Sequence, residues 1–286
     1  MESAVPQQVE TKKKISPFEK RVHEIDFARG VLILMVVIDH LFNQLGPYSV
    51  KWNLPGLNWF CGWYWNGIPR EIIQPLALMA FCFLSGISCA FSRNNWKRAI
   101  EALILWALIL GGSRLLYLTG WIQGGCIIDF NIIGVLAFST LIYCFIQKKS
   151  WKMVAAMALI FFIFAQYIVP NMRTNLVKLC GQMEYTYIRP GNFEPSPNFY
   201  FPFFFEPRIQ ADWVPLPAFG LFFFIGALAT RFIYKDKKSK VKHKYNWERP
   251  VCFIGRHTLI IYLVQFFAIM GLLALVDVIV KACGGY

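Results

Sequence analysis

The chain has 286 residues, 57% of them hydrophobic and 16% charged, with a mean hydropathy of +0.46. A soluble domain carries about 45–50% apolar and about 25% charged residues, so a lone water-soluble globule does not fit and a polytopic membrane protein does. The net charge of +13 raises the question of nucleic acid. No nucleic-acid motif accompanies it, and the basic residues gather between apolar runs, where they orient membrane proteins.

Residues 1–25 are polar and hold Lys12, Lys13, Lys14, Lys20 and Arg21. The apolar stretch that follows is too long for a signal peptide and lacks a small-residue cleavage site, so 1–25 is expected to stay as a loosely ordered cytoplasmic tail. Apolar runs bounded by charge, Gly or Pro predict seven helices, over 27–46, 71–91, 99–118, 129–146, 153–170, 214–234 and 252–280. The expected fold class is an all-α integral membrane bundle over 26–281, with the N-terminus cytoplasmic and the C-terminus outside. In that orientation 21 of the 29 Lys and Arg fall on the inner side, as positive-inside charge requires.

Two outer segments are unlike ordinary loops. Residues 47–70 hold Trp52, Trp59, Trp63, Tyr64 and Trp65 among Gly and Pro, a composition suited to the membrane interface, and predict a half-buried hairpin or short re-entrant piece. Residues 171–213 carry Pro190, Pro195, Pro197, Pro202, Pro207 and the aromatic run Phe199 to Phe205, too many prolines for a continuous helix. A cap over the outer mouth and a loop lying in the headgroups are both open. The eight Cys form no CxxC pair, which gives a zinc or iron–sulfur site little support, and no metal is expected. Cys61, Cys126, Cys180 and Cys283 fall outside, where two of them could pair. No internal repeat is evident, against an inverted-repeat transporter.

The first helix carries the chemistry. Glu24-Ile25-Asp26-Phe27-Ala28-Arg29-Gly30 leads into an apolar run broken by Asp39-His40, and ionisable residues inside a span are costly and tend to be functional. Arg29 and His40 are eleven residues apart, which leaves them within about 20° of one face and about 16 Å apart along the axis. His40 then lies near mid-membrane with Arg29 at the inner surface. An imidazole, with an ordinary pKa of about 6.5, is a suitable general base, and an Arg below it suits a phosphate-bearing donor. The alternative for His40 is a structural histidine hydrogen-bonded to a neighbouring helix. Asp26 is expected to pair with Arg29 or accept at the helix N-terminus. Asp39 points about 100° away from His40; it is a candidate catalytic partner more apt to meet another helix than to orient the imidazole.

The Glu-Ile-Asp-x-x-Arg-Gly opening and the Arg29-x10-His40 spacing resemble the catalytic-domain family of heparan-alpha-glucosaminide N-acetyltransferase, in particular its short bacterial members, within the transmembrane acyltransferase superfamily. Phe83-Leu84-Ser85-Gly86-Ile87-Ser88 with Ser92-Arg93-Asn94-Asn95, then Gly134-Val135-Leu136, Asp212-Trp213 with Pro215 and Pro217, and Gly255-Arg256-His257-Thr258-Leu259 are similar to its later blocks. The resemblance implies a multi-pass protein of a bacterial plasma membrane that moves an acetyl group from cytoplasmic acetyl-CoA to a carbohydrate or amino-sugar acceptor near the outer face. It implies His40 as base and Arg29 in donor recognition. Arg93, Asn94, Arg98, Arg256 and His257, at the inner rim, are candidates for the donor phosphates. Charge bias and helix ending account for some of these equally well, and close helix packing is the simpler role for Ser85-Gly86. Asp212, Trp213 and Trp63 are candidates for the acceptor, since aromatic rings stack on sugars; N-capping is the alternative for Asp212. The chain departs from the family pattern at Ala137 and Gln265, where members often carry histidine, and if either imidazole were essential the activity would be altered or absent. Membrane lipids are expected partners, nucleic acid is not, and a homodimer is open. The competing function is a proton-coupled transporter or flippase of an anionic or acylated solute, using Arg29, Asp39 and His40 as its path; an inactive relative serving as a scaffold is a third.

Overall fold

The computed structural model describes residues 22–120, 128, 130–165, 214–234, 239–240 and 246–283. The tail to residue 21, the outer segment 171–213 and, with it, Asp212 and Trp213 lie outside the described residues. Within them the chain is helical with no strand: α1 His23–Lys51, α2 Pro55–Trp65, α3 Ile68–Phe91, α4 Asn95–Leu118, α5 Ile132–Ile146, α6 Trp151–Ile163, α7 Leu216–Ile233, α8 Glu248–Arg256 and α9 Thr258–Ala282. Four stretches are long and apolar enough to cross a membrane: Ile72–Phe91 in α3, then α4, α7 and α9. α5 and α6 are apolar but shorter, 15 and 13 residues.

Local chemistry explains several helix starts. Asn131 accepts from the backbone N–H groups of Ile133 and Gly134 and starts α5, and Asn94 accepts from that of Lys97 and starts α4. Pro55 opens α2, where a missing N–H costs nothing. Pro47 and Pro75 sit inside α1 and α3, tolerated where neighbouring helices support the backbone.

Three sequence expectations change. The first helix runs on through Pro47 to Lys51. Where a hairpin or a short re-entrant piece was expected, the segment after it forms a tight turn and the short helix α2, which buries Cys61 and leaves Trp59 and Trp63 exposed. The expected last run, 252–280, is broken at His257 into α8 and α9, because tertiary contacts of α8 with α1 set its direction. Cys61 and Cys283 are free thiols, while Cys126 and Cys180 lie outside the described residues.

The core is a bundle of α3, α5, α6 and α7 filled by Phe130, Val135, Phe219, Phe223 and Phe224. α3 and α7 cross at a reciprocal pair of glycines: a Cβ on Gly86 would overlap the Phe223 carbonyl, and one on Gly226 would overlap that of Phe83. Small residues at such a crossing let backbones touch, which compensates for the weak driving force between helices in lipid. α4 lies against α5, and α1 against the opposite flank of α3, with α2, α8 and α9 packed around α1.

Candidate active site

Opposite sides of α1 meet different neighbours. Asp39, Phe42 and Gly46 point towards α2 and α3. Asp39 Oδ1 accepts from Arg70 Nε at 3.0 Å and from the Tyr64 hydroxyl at 3.1 Å. Arg70 is 5% exposed, and its guanidinium lies 3.6 Å from the centroid of the Trp65 ring. Burial, then the Asp39 charge, pushes the Tyr64 phenol up to about 12, so it stays protonated and donates. Phe42 packs on the Phe60 and Tyr64 rings at 5.2 and 4.9 Å. The candidate catalytic Asp39 is thus engaged in a partly buried ion pair between helices, on the side its helical angle indicates.

The other side of α1 is held at both ends. At the N-terminal end, Asp26 Oδ2 accepts from Arg256 Nε at 2.9 Å, where sequence reasoning looked for a local answer from Arg29 or the helix terminus. Gly30 and Gly255 repeat the glycine device: a Cβ on Gly30 would overlap the Val251 carbonyl, and one on Gly255 that of Asp26. Two motif blocks more than 200 residues apart in the chain are therefore one contact. Beside it, His23 Nε2 lies 3.1 Å from Glu248 Oε2 and His23 Nδ1 lies 3.3 Å from Cys252 Sγ. The carboxylate only accepts, so Nε2 carries the proton and, in the neutral ring, Nδ1 accepts from the thiol. Burial pushes the Cys252 thiol up, the opposite of what a thiolate nucleophile needs, and the trio acts as a clamp. Sequence reasoning missed it because no residue of the three sits in a recognisable spacing. At the C-terminal end, Asp277 of α9 takes Lys51 Nζ at 2.6 Å and the Trp52 indole N–H at 2.9 Å.

At about 100° per residue, Asp26, Gly30, His40, Gln44 and Lys51 fall within about 40° of one line along α1. The contacts at both ends of that line are with α8 and α9, so His40 and Gln44 lie on the α1–α9 seam. His40 forms no hydrogen bond among the described residues. The bond to a neighbouring helix that a structural histidine would make is not found there.

The candidates for the donor phosphates lie towards the Asp26–Arg256 end. Arg98 Nη1 donates to the Ser88 carbonyl at 3.2 Å, capping the end of α3. Asn94 is the α4 cap described above, and Arg93 is exposed beside it. His257, also exposed, stacks on Phe253 with centroids 4.5 Å apart, and its Nδ1 lies 3.1 Å from the Phe253 carbonyl. Arg29 is half-buried, one turn after Asp26. Trp63 is 49% exposed at the opposite end of the bundle. Sequence reasoning also missed a cleft of about 540 Å³ at the basic end, bordered by Gln147, Lys149, Trp151, Thr230, Arg231 and Tyr234; its two cations read in sequence as ordinary loop charge. Among the described residues no three His, Cys, Asp or Glu gather as metal ligands.

The family described as heparan-alpha-glucosaminide N-acetyltransferase, catalytic, matches residues 21–267. Comparison with curated proteins and with solved structures yields no match. The matched span takes in α1 to α8, the clamp between Asp26 and Arg256, His40, and the first turns of α9, and the chain belongs to the heparan-alpha-glucosaminide N-acetyltransferase catalytic-domain family of membrane acetyltransferases.

Proposed function

We propose that the chain spans the membrane about seven times, through α1, α3 to α7 and α9, with the Asp26–Arg256 end cytoplasmic, and transfers an acetyl group from cytoplasmic acetyl-CoA to a sugar hydroxyl or amine near the outer face. The observation that carries this reading is His40: an imidazole midway along α1, free of hydrogen bonds among the described residues, on the seam that begins at the basic end. His40 takes the proton of the acceptor as its oxygen or nitrogen attacks the thioester carbonyl carbon. The C–S bond then breaks, and the imidazolium returns a proton to the departing CoA sulfur.

Arg29, with Arg256, His257, Arg93, Asn94 and Arg98 around the basic rim, supplies cations and donors for the phosphates of CoA. Asp39 acts through its bond to Arg70, bracing α1 against α3 beside the imidazole. Trp63 receives the acceptor at the other end, and Asp212 and Trp213, which lie outside the described residues, are its further candidates from the sequence.

The test uses detergent-solubilised protein. A ligand that binds the native state raises the melting temperature by mass action, so CoA and acetyl-CoA should both raise Tm. His40→Ala should keep that rise and lose transfer of labelled acetyl to an amino-sugar acceptor by a factor of about 10² or more. Undiminished transfer by the variant removes His40 from the chemistry, and a wild-type Tm indifferent to every CoA species favours the transporter.

A further inference from the structure

On α9 the buried residues Gln265, Ile269, Leu273 and Asp277 repeat every four positions, a single stripe whose last member pairs with Lys51 of α1. The flanking Val264, Phe266 and Phe267 are exposed. A stripe at every fourth position turns by about 40° per step, so it is the packing of α9 chiefly on α1 among the described residues that places the buried Gln265 towards α1. It lies twelve residues, about 18 Å, from Asp277, while His40 lies eleven residues, about 16 Å, from Lys51. The two helices run in the same direction, since Gly255 meets Asp26 and Gly30 at one end and Asp277 meets Lys51 at the other. Gln265 and His40 thus stand at one depth on one seam, and Gln44 is a turn further on, about 6 Å, on the same face as His40.

Gln265 is 5% exposed, and among the described residues neither its amide nitrogen nor its amide oxygen has a hydrogen-bond partner; both amide atoms of Gln44 are likewise buried and unpartnered there. Most buried polar groups are paired, so two whole amides left open on one seam in the free protein point to a partner that arrives with a ligand. A primary amide lacking both donor and acceptor partners is complementary to a group offering both, a secondary amide. The acyl donor of the proposed reaction carries such a group: in the pantetheine arm of CoA a secondary amide is separated from the thioester sulfur by two methylenes.

We infer that the α1–α9 seam is a slot for an amide-bearing arm, in which Gln265 pairs with the amide nearest the sulfur and so sets the thioester beside His40, while Gln44 meets the acceptor hydroxyl or amine on the far side of the imidazole. The inference rests on the acyl-CoA reading above and names how that site grips its donor. Gln265 acts by positioning: its amide accepts the arm's N–H on Oε1 and donates from Nε2 to the arm's carbonyl, and no bond to it forms or breaks during transfer.

The experiment compares two probes on solubilised protein: CoA, which has the arm, and adenosine 3′,5′-bisphosphate, which lacks it. Gln265→Leu should melt at a higher temperature than wild type without ligand, because an unpartnered amide has been replaced by packing. It should lose most of the extra Tm rise that CoA gives over the bisphosphate, keep the bisphosphate rise unchanged, and raise KM for acetyl-CoA about tenfold. Gln44→Leu should leave the CoA rise intact and raise KM for the acceptor. A Gln265→Leu protein with the full CoA rise, or with a lower unliganded Tm, overturns the inference while leaving the acyltransferase reading in place. A wild-type protein that responds to neither probe overturns both. Should Gln265→Leu not fold, Gln265→Met answers the same question.

Discussion

The two sides of α1 invite comparison. Towards α2 and α3, Asp39 is answered by Arg70 and Tyr64 within 3.1 Å. Towards α9, two buried amides and an imidazole of similar depth have no hydrogen-bond partner among the described residues. One helix thus carries a satisfied polar network and an unsatisfied one within a few turns of each other. The lesson is that an ionisable group inside a span is not by itself a site. What separates scaffold from site is whether the protein has already answered the group.

The strongest way to break this comparison is to pry α1 loose from its frame. Gly30→Leu places a side chain in the Val251 carbonyl and Gly86→Leu one in the Phe223 carbonyl; backbone atoms cannot yield as a flexible side chain does, so both variants should give little monodisperse protein by size-exclusion chromatography. Folded, ligand-responsive Gly30→Leu protein would remove the close α1–α8 crossing from the account.

Next in size is the answered side. Arg70→Ala leaves the partly buried Asp39 carboxylate with the Tyr64 hydroxyl alone and should cost about 3 kcal/mol, seen as a clear fall in Tm, whereas Arg70→Met combined with Asp39→Leu should recover most of it. That result, set beside the rise expected for Gln265→Leu, is the sharpest contrast between the two sides: deleting a polar group destabilises one and stabilises the other.

The smallest effect concerns acid. Burial alone raises the Glu24 carboxyl, but the Ser239 hydroxyl, the Lys240 backbone N–H and the Tyr234 hydroxyl donate to it and hold it below its ordinary value. Its contribution to stability is therefore complete above the unfolded-state pKa and is lost as pH falls through the lower folded value. Glu24→Gln should lower Tm slightly at neutral pH and flatten the acid limb of the Tm–pH curve; an unchanged limb would show that the carboxylate is not held.

Much of the bundle was legible in the residues themselves. The runs read as 71–91, 99–118 and 214–234 appear as α3, α4 and α7 with ends moved by a few residues, because an apolar run and a capping Asn or Pro are local signals. The break at His257 was read through: Gly255-Arg256-His257-Thr258 does interrupt the apolar run, but polar residues at the start of a span read equally well as its rim, and the kink follows from Gly255 and Arg256 being drawn to α1.

Sequence alone determined that this is a helical membrane protein, that its first helix carries Arg29, Asp39 and His40, and that Asp39 and His40 point different ways, since composition and a fixed rise and turn per residue dictate those things within one element. Only the tertiary structure decided which group meets which. Asp26 closes on Arg256, Asp39 on Arg70, and Gln265 is left open at the depth of His40, because such pairings depend on how helices far apart in the chain pack, and no local rule encodes the neighbour.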